Sequence, residues 1–118
     1  MVKFRFQDLK IWKLAIKIAH ELFDIADILE SKRLYRFAEQ LRGSGMSMSN
    51  NIAEGSGSSS KKEFKQFMNF ARRSTFENAN ILIILEERSL ISQDSLNNLL
   101  DQLDFLCRQI TNFQYTLK

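Results

Sequence analysis

The chain predicts an all-α fold, an antiparallel up-down-up-down bundle of four helices, on three observations. It contains no proline in 118 residues, and its four glycines, Gly43, Gly45, Gly55 and Gly57, fall in one short window. Apolar residues recur at alternating steps of three and four along four segments, the spacing of a buried helical stripe. With 44% hydrophobic content the chain is one domain, residues 1–118, with a core large enough to fold without metals or disulfides.

The first segment carries two such stripes. Leu9, Trp12, Ile16, Ala19, Phe23 and Ala26 form the one expected to face the core, and Ile11, Ala15, Ile18, Leu22, Ile25 and Leu29 run beside it. A helix in a monomeric bundle needs only one apolar face, so the second predicts contact with another copy of the chain, a homo-oligomer.

The second segment is expected to be a helix from Leu34 to Glu54, with Gly55 as its C-terminal glycine, although glycines inside a helix cost about 1 kcal/mol each. Reading the whole polar stretch as loop would leave a structureless run longer than compact domains carry, and would strand Met48 and Ile52 outside the core. A connector over 55–59 then leads to Ser60-Lys61-Lys62-Glu63, a capping-box pattern that starts the third helix. Its seam reads Phe64, Phe67, Ala71, Ser74, Asn78, Ile81, Leu85. The fourth helix follows Ser92 as N-cap and repeats Leu96, Leu99, Leu103, Leu106, Ile110, Phe113, Leu117.

Polar residues interrupt two of these seams. Ser44 and Asn51 of the second helix and Ser74 and Asn78 of the third fall at core positions, with Glu54 and Glu77 near the stripe edges. Buried polar groups must be paired, so these six are expected to form a structural polar layer that sets helix register. Paired carboxylates can in principle do acid-base work or hold a metal. Nothing completes such a site: there is one His, and no Glu-x-x-His motif. The chain is therefore expected to be no enzyme, with no catalytic residues, metal or cofactor.

Residues 51–55, Asn-Ile-Ala-Glu-Gly, preceded by Gln-Leu-Arg at 40–42 and followed by KKEFKQFMNFARRSTFEN, resemble the signature of bacterial four-helix-bundle proteins related to those encoded in 23S rRNA intervening sequences. The opening FQDLKIWKLA at 6–15 is similar to the start of that family's first helix. The resemblance covers nearly the whole chain. It implies a left-handed antiparallel bundle, a homopentameric ring and no established enzymatic activity. One related branch comprises basic accessory proteins of diversity-generating retroelements, associated with a reverse transcriptase and nucleic acid.

Charge bears on that expectation. The net charge is +3, but residues 1–73 carry 14 Lys or Arg against 8 Asp or Glu, and residues 74–118 carry 3 against 6. Lys10, Lys13 and Lys17 line one face of the first helix, with Lys3 and Arg5 just before it. Lys62, Lys65 and Arg72 share a face of the third, flanked by Lys61 and Arg73. These ten cations are the candidate nucleic-acid contacts, for RNA or DNA, repeated by symmetry in an oligomer. A protein-interaction scaffold in which the charge is incidental is the other open reading, and a reverse-transcriptase-like protein is a further candidate partner. No aromatic stacking platform is expected, since Phe64 and Phe67 sit at core spacing.

The single cysteine, Cys107, has no intrachain partner, and the longest strongly apolar run, residues 81–85, is too short to span a bilayer. The N-terminus mixes charge with apolar residues and does not read as a signal peptide. A cytoplasmic protein without a membrane partner is the expectation.

Overall fold

The computed structural model describes residues 1–118. One turn of 3-10 helix, Arg5–Asp8, precedes four α-helices: α1 (Lys10–Ser31), α2 (Tyr35–Ser56), α3 (Lys61–Glu87) and α4 (Gln93–Tyr115). They pack contiguously, α1 on α2, α2 on α3, α3 on α4, and α4 back on α1, so that α1 lies across the bundle from α3. No strand is present.

The buried face of α1 centres on the second apolar stripe and takes in only the two alanines of the first. Ile11, Ala15, Ile18, Leu22 and Leu29 are buried together with Ala19 and Ala26, whereas the larger residues of the first stripe, Leu9, Trp12, Ile16 and Phe23, are half-buried, as is Ile25. Much of that flank is used within the chain. Phe6 of the 3-10 turn packs on Trp12 at 5.2 Å between ring centroids, and the Phe23 ring lies beside Gly45 of α2. Within the single chain Ile16 stays half-buried and Ile28 exposed.

The reversals after α1 and α3 are built alike and without glycine. Arg33 (φ 64°) and Ser89 (φ 60°) take the left-handed conformation, and the next amide closes the turn: Leu34 N donates to Leu29 O at 2.9 Å, Leu90 N to Leu85 O at 2.8 Å. In each, the leucine after the left-handed residue packs on the core, the apolar contact that accompanies this helix ending. Beside the first reversal Arg42 bridges Asp27 (2.6 Å) and Glu30 (2.8 Å) of α1, and those two hydrogen bonds hold its guanidinium pKa above the ordinary value.

Glycine serves α2 itself. The helix runs through Gly55 to Ser56, so Gly55 is not the terminating glycine that the sequence suggests. A β-carbon at Gly55 would stand 2.8 Å from Phe67 Cβ and 3.0 Å from Phe64 Cδ1, and one at Gly45 would stand 3.3 Å from Leu22 Cδ1. These two glycines let α2 lie close to α3 on one side and α1 on the other. The connector that follows is short, and Ser60 Oγ caps α3 by accepting from Glu63 N at 3.1 Å, while the return bond of the expected capping box is not formed. Ser92 caps α4 in the same way, accepting from Ser95 N at 3.0 Å.

Candidate functional site

Four of the six residues expected in the polar layer meet between α2 and α3. Asn78 is fully buried; its Nδ2 donates to Ser44 O and Ser74 O, both at 2.9 Å, and its Oδ1 accepts from Ser44 Oγ at 2.8 Å. Ser74 Oγ donates to Phe70 O at 3.1 Å, so in its 2.8 Å contact with Ser47 Oγ the Ser47 hydroxyl is the donor. Asn51 Nδ2 then donates to Ser47 O at 2.8 Å and reaches Ser47 Oγ at 3.2 Å. Every polar atom of the Asn78 amide is engaged, which is what burial demands. Ser47 is the member that sequence reasoning missed. It lies one position off the seam, and only its spacing four residues before Asn51 signalled the link.

Glu54 and Glu77 are corrections: both side chains are exposed, outside the hydrogen-bonded layer. The pairs Ser44–Asn78 and Ser47–Ser74 show α2 and α3 running in opposite directions. On that register Glu54 lies level with Phe67, some ten residues along α3 from Glu77, or about 15 Å. The two carboxylates do not form a pair. Glu77 instead borders an open concavity of about 430 Å³ over the polar layer, with Ser47, Asn51, Phe70, Arg73 and Ser74.

The candidate cations divide by what already holds them. Lys3 is paired with Asp8 at 2.7 Å, and its hydrogen bond, followed by its charge, keeps the Asp8 carboxyl below the ordinary aspartate value. Arg5 donates to Ser56 O at the end of α2 and lies over the Phe64 ring, 5.6 Å from its centroid. It ties the N-terminal turn to the α2–α3 junction, so its role is in the first place structural. Lys61 Nζ donates to Lys118 O at 2.9 Å. Lys10, Lys13, Lys17, Lys62, Lys65, Arg72 and Arg73 have no acidic partner. The lysines of α1 and the cations of α3 sit on helices across the bundle from one another and do not form a single row.

What the fold does join is the charge along its axis. The start of α1, the end of α2, the start of α3 and the end of α4 share one end, where Arg5 meets Ser56, Phe64 packs on Phe113 at 5.3 Å, and Gln114 Nε2 donates to Lys65 O at 3.1 Å. With each helix divided near its midpoint, this half (residues 1–20, 46–73 and 105–118) holds twelve Lys and Arg against three Asp and Glu, a net of +9. The opposite half holds five against eleven, a net of −6. A net charge of +3 conceals this separation, because acids and bases that alternate along the chain are sorted only when the helices fold back on each other.

Exposed aromatic residues also lie in or beside the basic half: Phe4, Phe70, Phe76, Phe105 and Tyr115, with Tyr35 elsewhere. Phe64 and Phe67, the rings noticed in the sequence, are buried and half-buried as expected.

Four contiguous helices around an apolar core, a hydrogen-bonded polar layer between two of them and charge sorted from end to end define a small helical-bundle protein. The family model of the 23S rRNA-intervening sequence protein matches residues 7–112, and the chain belongs to that family. No curated protein matches it. No helix is long and apolar enough to cross a membrane.

Proposed function

We propose that the chain is a non-enzymatic, cytoplasmic bundle protein that binds RNA or DNA, or a nucleic-acid-handling partner such as a reverse transcriptase, through its basic end. The observation that carries this reading is the net +9 of that half, in which Lys10, Lys13, Lys17, Lys62, Lys65, Arg72 and Arg73 lack acidic partners. Unpaired cations on a rigid surface release counterions from a phosphate backbone, so binding follows salt. Purified protein is expected to bind oligonucleotides at low ionic strength and to lose them steeply as salt rises; undetectable binding, or binding insensitive to salt, contradicts the reading.

Assembly completes the proposal: an up-down-up-down bundle in a homo-oligomeric ring, a pentamer by family resemblance. A ring needs two different patches that complement one another on each subunit. Exposed aliphatic side chains supply candidates in the acidic half, Ile28 on α1 and Ile83 with Ile84 on α3, helices on opposite sides of the bundle. Contact there would leave the basic end free and repeat it around the axis, strengthening weak phosphate binding by avidity. Light scattering is expected to return a multiple of the 13.8 kDa chain mass, and a monomer overturns the ring.

A further inference from the structure

We infer that the outer face of α3 and α4 is a site for single-stranded nucleic acid, with Lys65, Arg72 and Arg73 on phosphates and Phe76 and Tyr115 stacking bases. The inference rests on the nucleic-acid reading above and deepens it.

On α3 the cations Lys62, Lys65, Arg72 and Arg73 occupy one broad outward face that ends at Phe76, over a length of about 21 Å at 1.5 Å per residue. Glu63 falls on another side of the helix and Glu77 lies just past Phe76 beside Arg73, and none of the four cations forms an ion pair. Arg72 Nε is shielded from water and has no hydrogen-bond partner within the chain. Phe76 is 67% exposed, so the face of its ring is open to a stacking partner. Asn69, Arg72 and Arg73 line a concavity of about 360 Å³ with its ring, which gives room for a flat base between cations that reach its phosphates.

Helix α4 supplies the second ring. The bond from Gln114 Nε2 to Lys65 O sets the register of α3 against α4, so Tyr115, 70% exposed, stands level with the start of the basic row. On the same register Arg108 lies level with Arg72. Asp104, level with Phe76, is held by Arg108 at 3.2 Å.

A phosphate backbone flanked by unpaired bases matches a cation row with an exposed π face at each end; a duplex, whose bases are already stacked on each other, can use the cations alone. Single strands, of ribose or deoxyribose, are therefore the favoured ligand. Sequence preference is weak, because every base has a face to stack.

Fluorescence anisotropy with oligouridylate, oligothymidylate and a duplex of the same length tests this. The full-length protein is expected to bind one or both single strands about 10-fold or more tighter than the duplex at equal salt. Phe76→Leu, which keeps apolar bulk but removes the π face, is expected to weaken single-strand binding by about 5-fold or more and leave duplex binding and helicity unchanged. Phe76→Trp is expected to retain the preference. Equal affinity for duplex and single strands, or a Phe76→Leu protein that binds single strands like the parent, overturns the site while leaving general nucleic-acid binding intact. Parent protein that binds no probe overturns the broader reading and the site together. A Phe76→Leu change that alters mass in solution without altering affinity assigns the ring to contact between copies and also overturns the site.

Discussion

Replacing Asn78 with aspartate is expected to destabilise the fold by about 3–5 kcal/mol at neutral pH, the cost of a buried charge without a counter-charge. Asn78 Nδ2 donates to two carbonyls, Ser44 O and Ser74 O, and a carboxylate would present an acceptor to both. Burial raises the folded-state pKa of such an aspartate above its unfolded value near 3.9. The loss is therefore fully present above the folded pKa and shrinks as pH falls towards the unfolded one, so this variant gains stability relative to the parent on mild acidification. Asn78→Leu, which removes the donors without adding charge, is expected to cost less, about 1–3 kcal/mol. Pairing it with Ser44→Ala removes the hydroxyl left facing an apolar side chain and recovers part of the loss. Denaturant titrations at several pH values check these outcomes; an aspartate variant as stable as the parent at neutral pH would show that the layer is wet or open.

Gly55→Ala is expected to cost about 1–3 kcal/mol, and Gly55→Val more, although alanine is ordinarily the better helix former. The added carbon would meet Phe67 Cβ at 2.8 Å, an atom fixed to the α3 backbone that cannot rotate away, as well as Phe64 Cδ1 at 3.0 Å. The helices must separate to admit it. Gly43 supplies the control, since a β-carbon there meets nothing within 4 Å. Gly43→Ala is expected to stabilise by about 1 kcal/mol from helix propensity alone. Opposite signs for the same substitution twelve residues apart in α2 can be read from thermal unfolding; a shared sign would contradict the close approach at Gly55.

The four helices were legible because their seams follow the three-four rhythm without proline, and the caps at Ser60 and Ser92 lie where hydroxyl residues precede apolar runs. The polar layer was legible for the same reason: Ser44, Asn51, Ser74 and Asn78 interrupt a rhythm. Ser47, one step off the seam, did not. Gly55 misled because a glycine near a helix end reads as a terminator, and only the nearness of α3 reveals that its missing side chain matters. The two stripes of α1 were ranked the wrong way for their large residues, since both are equally periodic and what separates them is the position of α2 and the 3-10 turn. Glu54 and Glu77 looked alike on the stripe edges, yet the antiparallel register sets them apart along the axis. Charge sorting was invisible for a topological reason. Lys10, Lys62 and Arg108 are far apart in sequence and share one half only because each helix reverses the last.

That sorting is the core of the functional account, and one measurement tests it most directly. Oligonucleotide affinity is followed across a salt series for the parent and for two variants that remove equal charge at opposite ends, Lys10→Gln/Lys13→Gln/Lys65→Gln and Arg33→Gln/Arg36→Gln/Arg88→Gln. The basic-end variant is expected to bind more weakly and with a shallower salt dependence, by roughly 0.7–0.9 in the logarithmic slope for each phosphate no longer neutralised, while the other keeps the parent slope. Equal effects from both variants would mean that net charge alone drives binding, and would contradict a site at the basic end.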